Sequence, residues 1–117
     1  MTYLVVCIPH DMEDVPALLE SWAAAGTSDT IVLNTARCRL ETPVDKGDDV
    51  PILPSLSTLL SAEETESRTV LTTVADDAAL ARVVAAAQQA LGDLSQPNTG
   101  ILVALPVALA LGLARRA

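Results

Sequence analysis

The sequence predicts an α+β sandwich with the element order βαββαβ, in which a four-stranded sheet carries two helices on one face. The main observation is a pattern that occurs twice. An apolar strand, an acidic helix start, an amphipathic helix, a glycine and a second apolar strand follow one another over residues 3–33, and the same order returns over residues 69–105. Two such units in tandem are expected to share one sheet. A length of 117 residues suffices for one domain, residues 1–117, with its own core.

The first unit is predicted to start with the strand Tyr3–Ile8. Apolar residues at positions i, i+3, i+4 and i+7 then predict a helix with one buried face. Asp14 is its expected N-cap and Gly26 its C-terminal stop. The second strand is predicted at Thr30–Leu33. The buried face of the helix is expected to consist of Val15, Leu18, Leu19 and Trp22.

The second unit follows the same plan. Its strands are predicted at Thr69–Val74 and Gly100–Leu105. The helix between them is expected to be capped by Asp76 or Asp77 and to end at Gly92. Its apolar face is expected to consist of Leu80, Val83, Val84, Ala87 and Leu91.

A long connection, residues 38–68, is predicted between the two units. It begins as a polar, irregular segment and then has the pattern of a short helix over residues 54–60. A connection of this length inside a compact domain is usually functional or disordered.

The first strand of the first unit and the last strand of the second unit predict an oligomer. Residues 3–8 and 100–105 are apolar at nearly every position instead of alternating with polar residues. A strand of this kind needs cover on both sides, and two helices can cover only one face of a four-stranded sheet. A second copy of the chain is the simplest cover for the other face. We therefore expect a homo-oligomer assembled through the open sheet face.

Composition and charge exclude several classes of protein. A net charge of −8, with 7 basic and 15 acidic residues, argues against a nucleic-acid-binding surface. The apolar run at residues 101–113 is too short to insert across a bilayer and contains Pro106. Because the N-terminus enters a strand without a basic leader, the sequence predicts no signal peptide and a cytoplasmic protein.

The sequence predicts neither an enzyme nor a metal site. A Cys7-x-x-His10 motif could supply two ligands, but a structural metal site needs four, so a buried thiol and a turn histidine are expected instead. The chain has a single histidine and no recognisable nucleophile with an acid–base partner.

Several features together resemble the PII-like signalling proteins: the two units, the long connection with its short helix, the run Asn98–Val103 and the Leu105-Pro106-Val107 that follows the last strand. The resemblance spans residues 3–113. It implies a ferredoxin-like fold with a four-stranded antiparallel sheet, homotrimers whose sheets face inward, and an adenine nucleotide bound in clefts between subunits. It also implies that the connection docks onto an enzyme or a membrane transporter and regulates it.

The resemblance places the ligand site at the end of the second strand and in the loop after the second helix. In nitrogen-regulatory members that loop supplies backbone amides and a lysine to phosphates. Here Ile101 stands where the lysine would follow the last glycine, so the chain is similar to a divergent member. The candidate ligand-binding residues are Thr35, Arg37, Arg39, Gly92, Asn98, Thr99 and Gly100.

Two alternatives remain open at this point. Arg37 and Arg39 alternate on a strand, so both side chains point to one face and either bind an anion or pair with neighbouring acids. The second alternative concerns function, because the CutA proteins, which share the trimeric architecture, suggest a structural or metal-tolerance trimer. Its metal ligands would come from Cys7, His10 and Cys38.

Overall fold

A computed structural model describes residues 1–27, 29–39 and 63–113. Four strands form one sheet in the order β2-β3-β1-β4, and every neighbouring pair is antiparallel. The fold is therefore the predicted α+β, ferredoxin-like arrangement. The strands are β1 (Tyr3–Pro9), β2 (Thr30–Arg39), β3 (Glu63–Val74) and β4 (Gly100–Pro106).

Two helices within the described residues cover one face of this sheet, and they begin in different ways. Helix α2 (Asp77–Leu91) is capped as predicted, since the Asp76 carboxylate accepts a hydrogen bond of 2.8 Å from the Ala79 amide. The expectation that Asp14 caps helix α1 (Val15–Ala24) is wrong. Asp14 has helical backbone angles and its side chain makes no capping bond, because a short 3-10 turn already leads the chain into the helix.

The core lies between the helices and one side of the sheet. Trp22 is fully buried at its centre, and its indole Nε1 donates a hydrogen bond of 3.2 Å to the Val83 carbonyl of α2. The predicted face of α1 points into this core, and so does most of the predicted face of α2, with Leu19, Leu80 and Leu91 partly buried at its margin. Val84, predicted for the α2 face, is only partly buried and does not belong to the core cluster, whereas Ala86, which was not predicted, is buried in it. The buried core residues are Val5, Cys7, Val15, Leu18, Trp22, Val70, Val74, Val83, Ala86 and Ala87.

The connection between the two units is shorter than predicted. Strand β2 continues to Arg39 and β3 already begins at Glu63, and the two strands pair along their whole length. Residues 38–39 and 63–68, assigned to the connection from the sequence, are therefore strand. Their polar side chains gave no apolar signal, but cross-strand pairing of polar residues also stabilises a ribbon. The predicted short helix at residues 54–60 lies outside the described residues.

The extra length of β2 and β3 forms a protruding ribbon, residues 34–39 and 63–69. Strand β1 pairs with β3 only as far as Cys7 opposite Val70, so the ribbon extends past this pairing as two strands. Arg68 connects the base of the ribbon to the turn after β1, because the Arg68 Nη1 lies 3.1 Å from the Met12 sulfur.

The face of the sheet opposite the helices is apolar and exposed. The pairing register places Ile31, Leu71, Val6 and Val103 side by side, one from each strand in sheet order. Ile31 is 56% exposed and Val103 45%, as expected for side chains on the face that the described helices do not cover. The remaining aliphatic residues on this open face are Leu4, Ile8, Leu33, Ile101 and Leu105.

Directly beyond β4, the Val107 amide donates to the Thr2 carbonyl at 2.9 Å, which continues the register of the β1–β4 pairing by one residue. The two leucines that follow, Leu109 and Leu111, are exposed. Within the described ranges, no helix is both long and apolar enough to cross a membrane.

Candidate functional site

A corner pocket of about 490 Å³ lies where the protruding ribbon meets the loop between α2 and β4. Three parts of the chain form it. The ribbon contributes Arg37, Cys38 and Thr65, and the end of β1 contributes His10. The loop and the start of β4 contribute Gln96, Pro97, Asn98, Gly100 and Ile101. The pocket thus combines one guanidinium, amide and hydroxyl groups, a thiol, an imidazole and two apolar side chains.

Three of the predicted ligand-binding residues, Arg37, Asn98 and Gly100, line the corner pocket. Asn98 has a positive φ of 65°, which places it in the left-handed region that asparagine tolerates better than most residues. The structure therefore brings the end of β2 and the start of β4 together at one pocket.

Three other predicted residues, Thr35, Gly92 and Thr99, do not line this pocket. The Thr35 hydroxyl bonds with Ser67 Oγ at 2.9 Å and with Thr69 Oγ1 at 3.0 Å, so it serves pairing within the ribbon. Thr99 donates its hydroxyl to the Gln96 carbonyl at 2.9 Å, and Gly92 lies next to the end of α2. The Arg39 backbone pairs with Glu63 in the ribbon.

Six of the described pocket residues were missed as ligand candidates: His10, Cys38, Thr65, Gln96, Pro97 and Ile101. The sequence offered His10 and Cys38 only as metal ligands, and it placed Cys38 in the connection. Had the alternation of β2 been followed beyond Leu33, Cys38 would have been placed in the strand beside Arg37. The pairing of Cys38 with Glu64, and of Arg37 with Thr65, is a property of the register that one strand alone does not reveal.

The loop after α2 is held by an internal network around Asp93. The Asp93 carboxylate accepts from the Ser95 hydroxyl at 2.7 Å and from the Ser95 amide at 3.0 Å. These bonds lower the pKa of Asp93, the hydroxyl bond having the largest effect, because they favour the charged form. The Leu94 amide donates to Gln88 Oε1 at 3.2 Å, and the Gln96 amide to the Asp93 carbonyl at 3.0 Å.

Gly100 allows β4 to approach the end of β1 at the floor of the pocket. Its φ is +137°, and a Cβ atom placed there would lie 2.8 Å from the Ile8 carbonyl oxygen and 3.2 Å from Pro9 Cα. Both contacts are with backbone, which cannot move aside as a flexible side chain does. Any substitution here should disturb the pairing of β1 with β4.

We expect Gly100→Ala to lower the free energy of unfolding by about 1–3 kcal/mol through overpacking, in addition to the cost of its backbone angles. Gly112→Ala is the matched control, because Gly112 also has a positive φ, +81°, but has nothing within 4 Å of the added Cβ. Urea unfolding followed by circular dichroism measures both. Equal losses in the two variants would contradict the role of the close approach.

The two cysteines occupy opposite environments. Cys7 is fully buried on the helix side of the sheet, and burial raises the pKa of its thiol to about 11. Cys38 is exposed at the corner pocket with His10. Because Cys7 faces the core while His10 is exposed, the Cys7-x-x-His10 motif does not present its two side chains to one site. In the parts of the chain that the structure describes, no group of three or more His, Cys, Asp or Glu residues could hold a metal.

We expect a thiol reagent at pH 8 to modify Cys38 in the folded protein and to leave Cys7 unmodified. The thiolate is the reactive form, and a buried thiol with a pKa of about 11 is neither ionised nor accessible at that pH. Mass spectrometry before and after denaturation provides the measurement. Cys38→Ser is the control, and rapid modification of this variant in its folded state would contradict the assignment.

A second cavity, of about 270 Å³, lies at the opposite end of the sheet beside Asp76, Arg82 and Leu113. The Asp76 carboxylate there is already engaged in capping α2. Because the second cavity contains none of the predicted ligand-binding residues and lies away from the ribbon, the corner pocket is the better candidate site.

Comparison with known proteins supports the fold. No protein-family model matches the sequence, and no curated protein matches it. Among solved structures, GlnK from B. subtilis is similar with a TM-score of 0.63 at 12% identity, over 92% of this chain and 85% of that one. A DUF3240 family protein from Shewanella baltica OS155 gives 0.63 at 10% identity, over 97% of both chains.

The periplasmic divalent cation tolerance protein CutA from Archaeoglobus fulgidus is also similar, with a TM-score of 0.59 at 9% identity over 95% of this chain and 88% of that one. All three likenesses extend over nearly the whole chain. The protein therefore has a divergent PII-like fold.

Proposed function

We propose that this chain is a non-enzymatic regulatory protein that works as a homotrimer. A small effector binds in the corner pocket, which a neighbouring subunit completes. Binding of the effector changes the connection between β2 and β3, and through this connection the protein regulates a partner enzyme or membrane transporter. The observation that carries this proposal is the position of the pocket at the base of the ribbon from which that connection leaves.

The ribbon couples the pocket to the connection. Arg37, Cys38 and Thr65 belong to both the ribbon and the pocket, so an effector that contacts them also contacts the two strands that lead to residues 40–62. A ligand shifts a conformational equilibrium only when it binds one state better than the other. An effector that contacts both strands binds more tightly to the state in which the ribbon closes the pocket around it, so its binding favours that state.

The open face supports the trimer. A contiguous row of four aliphatic side chains is unusual on the surface of a monomer and is typical of an interface. The corner pocket lies at the ribbon end of the same sheet, and Ile101 and Arg37 belong to both the open face and the pocket. Assembly through this face therefore brings a neighbouring subunit close to the pocket.

An adenine nucleotide is the first effector to test. The pocket volume lies within the range usual for small-molecule sites, about 300–1,000 Å³. One solved structure of B. subtilis GlnK is a complex with ATP. In the pocket, Arg37 offers a guanidinium to an anionic group, and the amides of Gln96 and Asn98 offer hydrogen bonds to a base or sugar.

Calorimetry with AMP, ADP, ATP and bicarbonate tests the proposal. We expect at least one of them to bind, and Arg37→Ala to weaken that binding about tenfold or more, as the loss of a charge-assisted hydrogen bond does. Arg82→Ala is the control, because it removes the same charge from the second cavity at the far end of the sheet. Absence of binding to all four would remove the proposed effector class.

A CutA-like metal-tolerance trimer is the second candidate, favoured by the position of His10 and Cys38 in one pocket. Thiolate and imidazole are ligands of Zn²⁺ and Cu⁺. This function requires metal binding that is lost in both His10→Ala and Cys38→Ser, while nucleotides have no effect. Titration of the protein with Zn²⁺ and with Cu⁺ distinguishes it from the effector-binding function.

A further inference from the structure

The two edge strands of the sheet, β2 and β4, both have an unpaired apolar edge. In the sheet order β2-β3-β1-β4, their outer edges pair with no other strand of the described chain. Strand β4 has no charged or polar side chain, and β2 begins with the run Thr30-Ile31-Val32-Leu33. Natural proteins usually protect an edge with charges, prolines or bulges, because an unpaired edge invites pairing with another chain. Edges with so little protection indicate that a partner strand lies there.

Cover of the open face alone would leave part of these strands exposed. Val32 lies on the helix side of the sheet, because it stands opposite Val70, which is fully buried in the core. Val32 is nevertheless 40% exposed, beyond the cover that the described helices give. Ala104 of β4, opposite the buried Val5, is likewise exposed on the helix side. A partner that covers Val32 and Ala104 must therefore lie beside the edge strands themselves.

The two edges of one chain are complementary to each other. Every neighbouring pair in the sheet is antiparallel, so β2 and β4 run in opposite directions. Two copies side by side in the same orientation therefore bring β2 of one next to β4 of the other as an antiparallel pair. Residues of the open face have odd numbers in both strands, as Ile31 and Val103 show. Pairing of odd with odd residues continues the apolar face from one copy to the next.

Pairing of like edges would cover less of the apolar surface. A two-fold pairing of β4 with β4 uses one edge of each copy and leaves β2 exposed. A two-fold pairing of β2 over nearly its whole length would set the cationic Arg37 against the apolar Ile31. Head-to-tail pairing covers both edges of every copy, and such an arrangement closes as a ring when the rotation between copies permits it.

We infer that β2 of each subunit pairs with β4 of the next in a closed ring, and that the start of this neighbouring β4 forms part of the effector site. The inference rests on the proposed function and specifies how a neighbouring subunit completes the corner pocket. Registers that set the apolar start of β2 against β4 bring Arg37 opposite residues 97–101 of the neighbouring subunit. One such register sets Leu33 opposite Val103. In that register Arg37 lies opposite Thr99 of the neighbouring subunit, a predicted ligand residue that does not line the pocket of its own chain.

Cysteine cross-linking tests the pairing directly. Within one chain, β2 and β4 are three strand spacings apart, about 14 Å, whereas a disulfide needs Cα atoms within about 7 Å. A disulfide between new cysteines on these two strands therefore joins two subunits. In a Cys38→Ser background, Leu33→Cys is combined in turn with one of three substitutions in β4: Ile101→Cys, Val103→Cys or Leu105→Cys.

We expect at least one of the three combinations to give disulfide-linked dimers and trimers on a non-reducing gel after mild oxidation. The combination that links most readily identifies the register, and thereby the residue opposite Arg37. The single variants are the controls. A disulfide that forms in a single variant as readily as in the combinations would show pairing of like edges and would overturn the inference. A ladder of products larger than trimers would contradict the closed ring.

A substitution at Val32 separates edge pairing from cover of the open face alone. Val32→Lys adds a charge on the helix side of the β2 edge and leaves the open face unchanged, so we expect the association of subunits to weaken about tenfold or more. Ala81→Lys adds the same charge to the exposed side of α2 and should have no effect. Light scattering over a dilution series measures both variants, and unchanged association of Val32→Lys would overturn the inference.

Failure of this inference is distinguishable from failure of the proposed function. A trimer that forms no disulfide in any of the three combinations would overturn edge pairing and leave the proposed function standing. A 12.2 kDa particle that forms no disulfide would overturn both.

Discussion

Replacement of Val103 by glutamate is expected to convert the proposed homotrimer into a monomer. Val103 lies in the row formed by Ile31, Leu71, Val6 and Val103, on the face of the sheet opposite the two helices. A glutamate there would place an unpaired charge in an apolar interface, at a cost of several kcal/mol for each subunit, on the order of 3–5. Each 1.4 kcal/mol is about tenfold in an association constant, so assembly should fall more than about 100-fold.

Light scattering after size exclusion gives the mass directly. At micromolar concentration the unaltered protein should have three times the chain mass of 12.2 kDa, and the Val103→Glu variant should have the mass of a single chain. Val103 is already 45% exposed in the single chain, so the variant subunit should keep its fold. Ala81→Glu adds the same charge to the exposed side of α2 and should leave the mass unchanged. A 12.2 kDa particle for the unaltered protein would refute the proposed assembly.

Truncation of Trp22 to alanine is expected to have the largest effect on the stability of the subunit. Trp22 of α1 is 0% exposed and belongs to the core cluster that α1, α2 and the sheet form, so its removal leaves a large cavity. Loss of a buried tryptophan costs about 3–5 kcal/mol, which is a large part of the stability of a small domain. Urea unfolding followed by far-ultraviolet circular dichroism measures the loss, since the chain contains no other tryptophan.

A second substitution at this position separates packing from hydrogen bonding. Trp22→Phe keeps most of the apolar volume but removes the donor to the Val83 carbonyl. We expect a smaller loss, about 1–2 kcal/mol. The interpretation of Trp22 as the centre of the core fails if both variants unfold at the same urea concentration as the unaltered protein.

Apolar periodicity predicted the helices, and continuous apolar runs predicted the strands of the core. Leu18 and Trp22 on α1, and Val83 and Ala87 on α2, recur at helical spacing and are buried together. The carboxylate of Asp76 caps α2 as expected, whereas Asp14 does not cap α1. An acidic residue before a helix indicates a cap, but a preceding turn can bring the chain into the helix without one.

The corner pocket was harder to predict, because it depends on residues that are distant in the sequence. Arg37 and Gly100 follow from local patterns, but Thr65 reaches the pocket only through the pairing of β3 with β2. The ribbon that carries Arg37 and Thr65 is polar on both faces, so the hydropathy of the sequence could not locate its ends. The network of Asp93 with Ser95 also left no apolar pattern in the sequence.

The separation of Trp22 from Cys38 has a practical consequence for studies of this protein in solution. The lone indole is enclosed between the helices, so its emission should follow unfolding and remain insensitive to molecules that enter the corner pocket. A fluorophore attached to the thiol of Cys38 would instead sit at the pocket itself. The chain therefore offers two independent optical signals, one for the integrity of the fold and one for events at the ribbon.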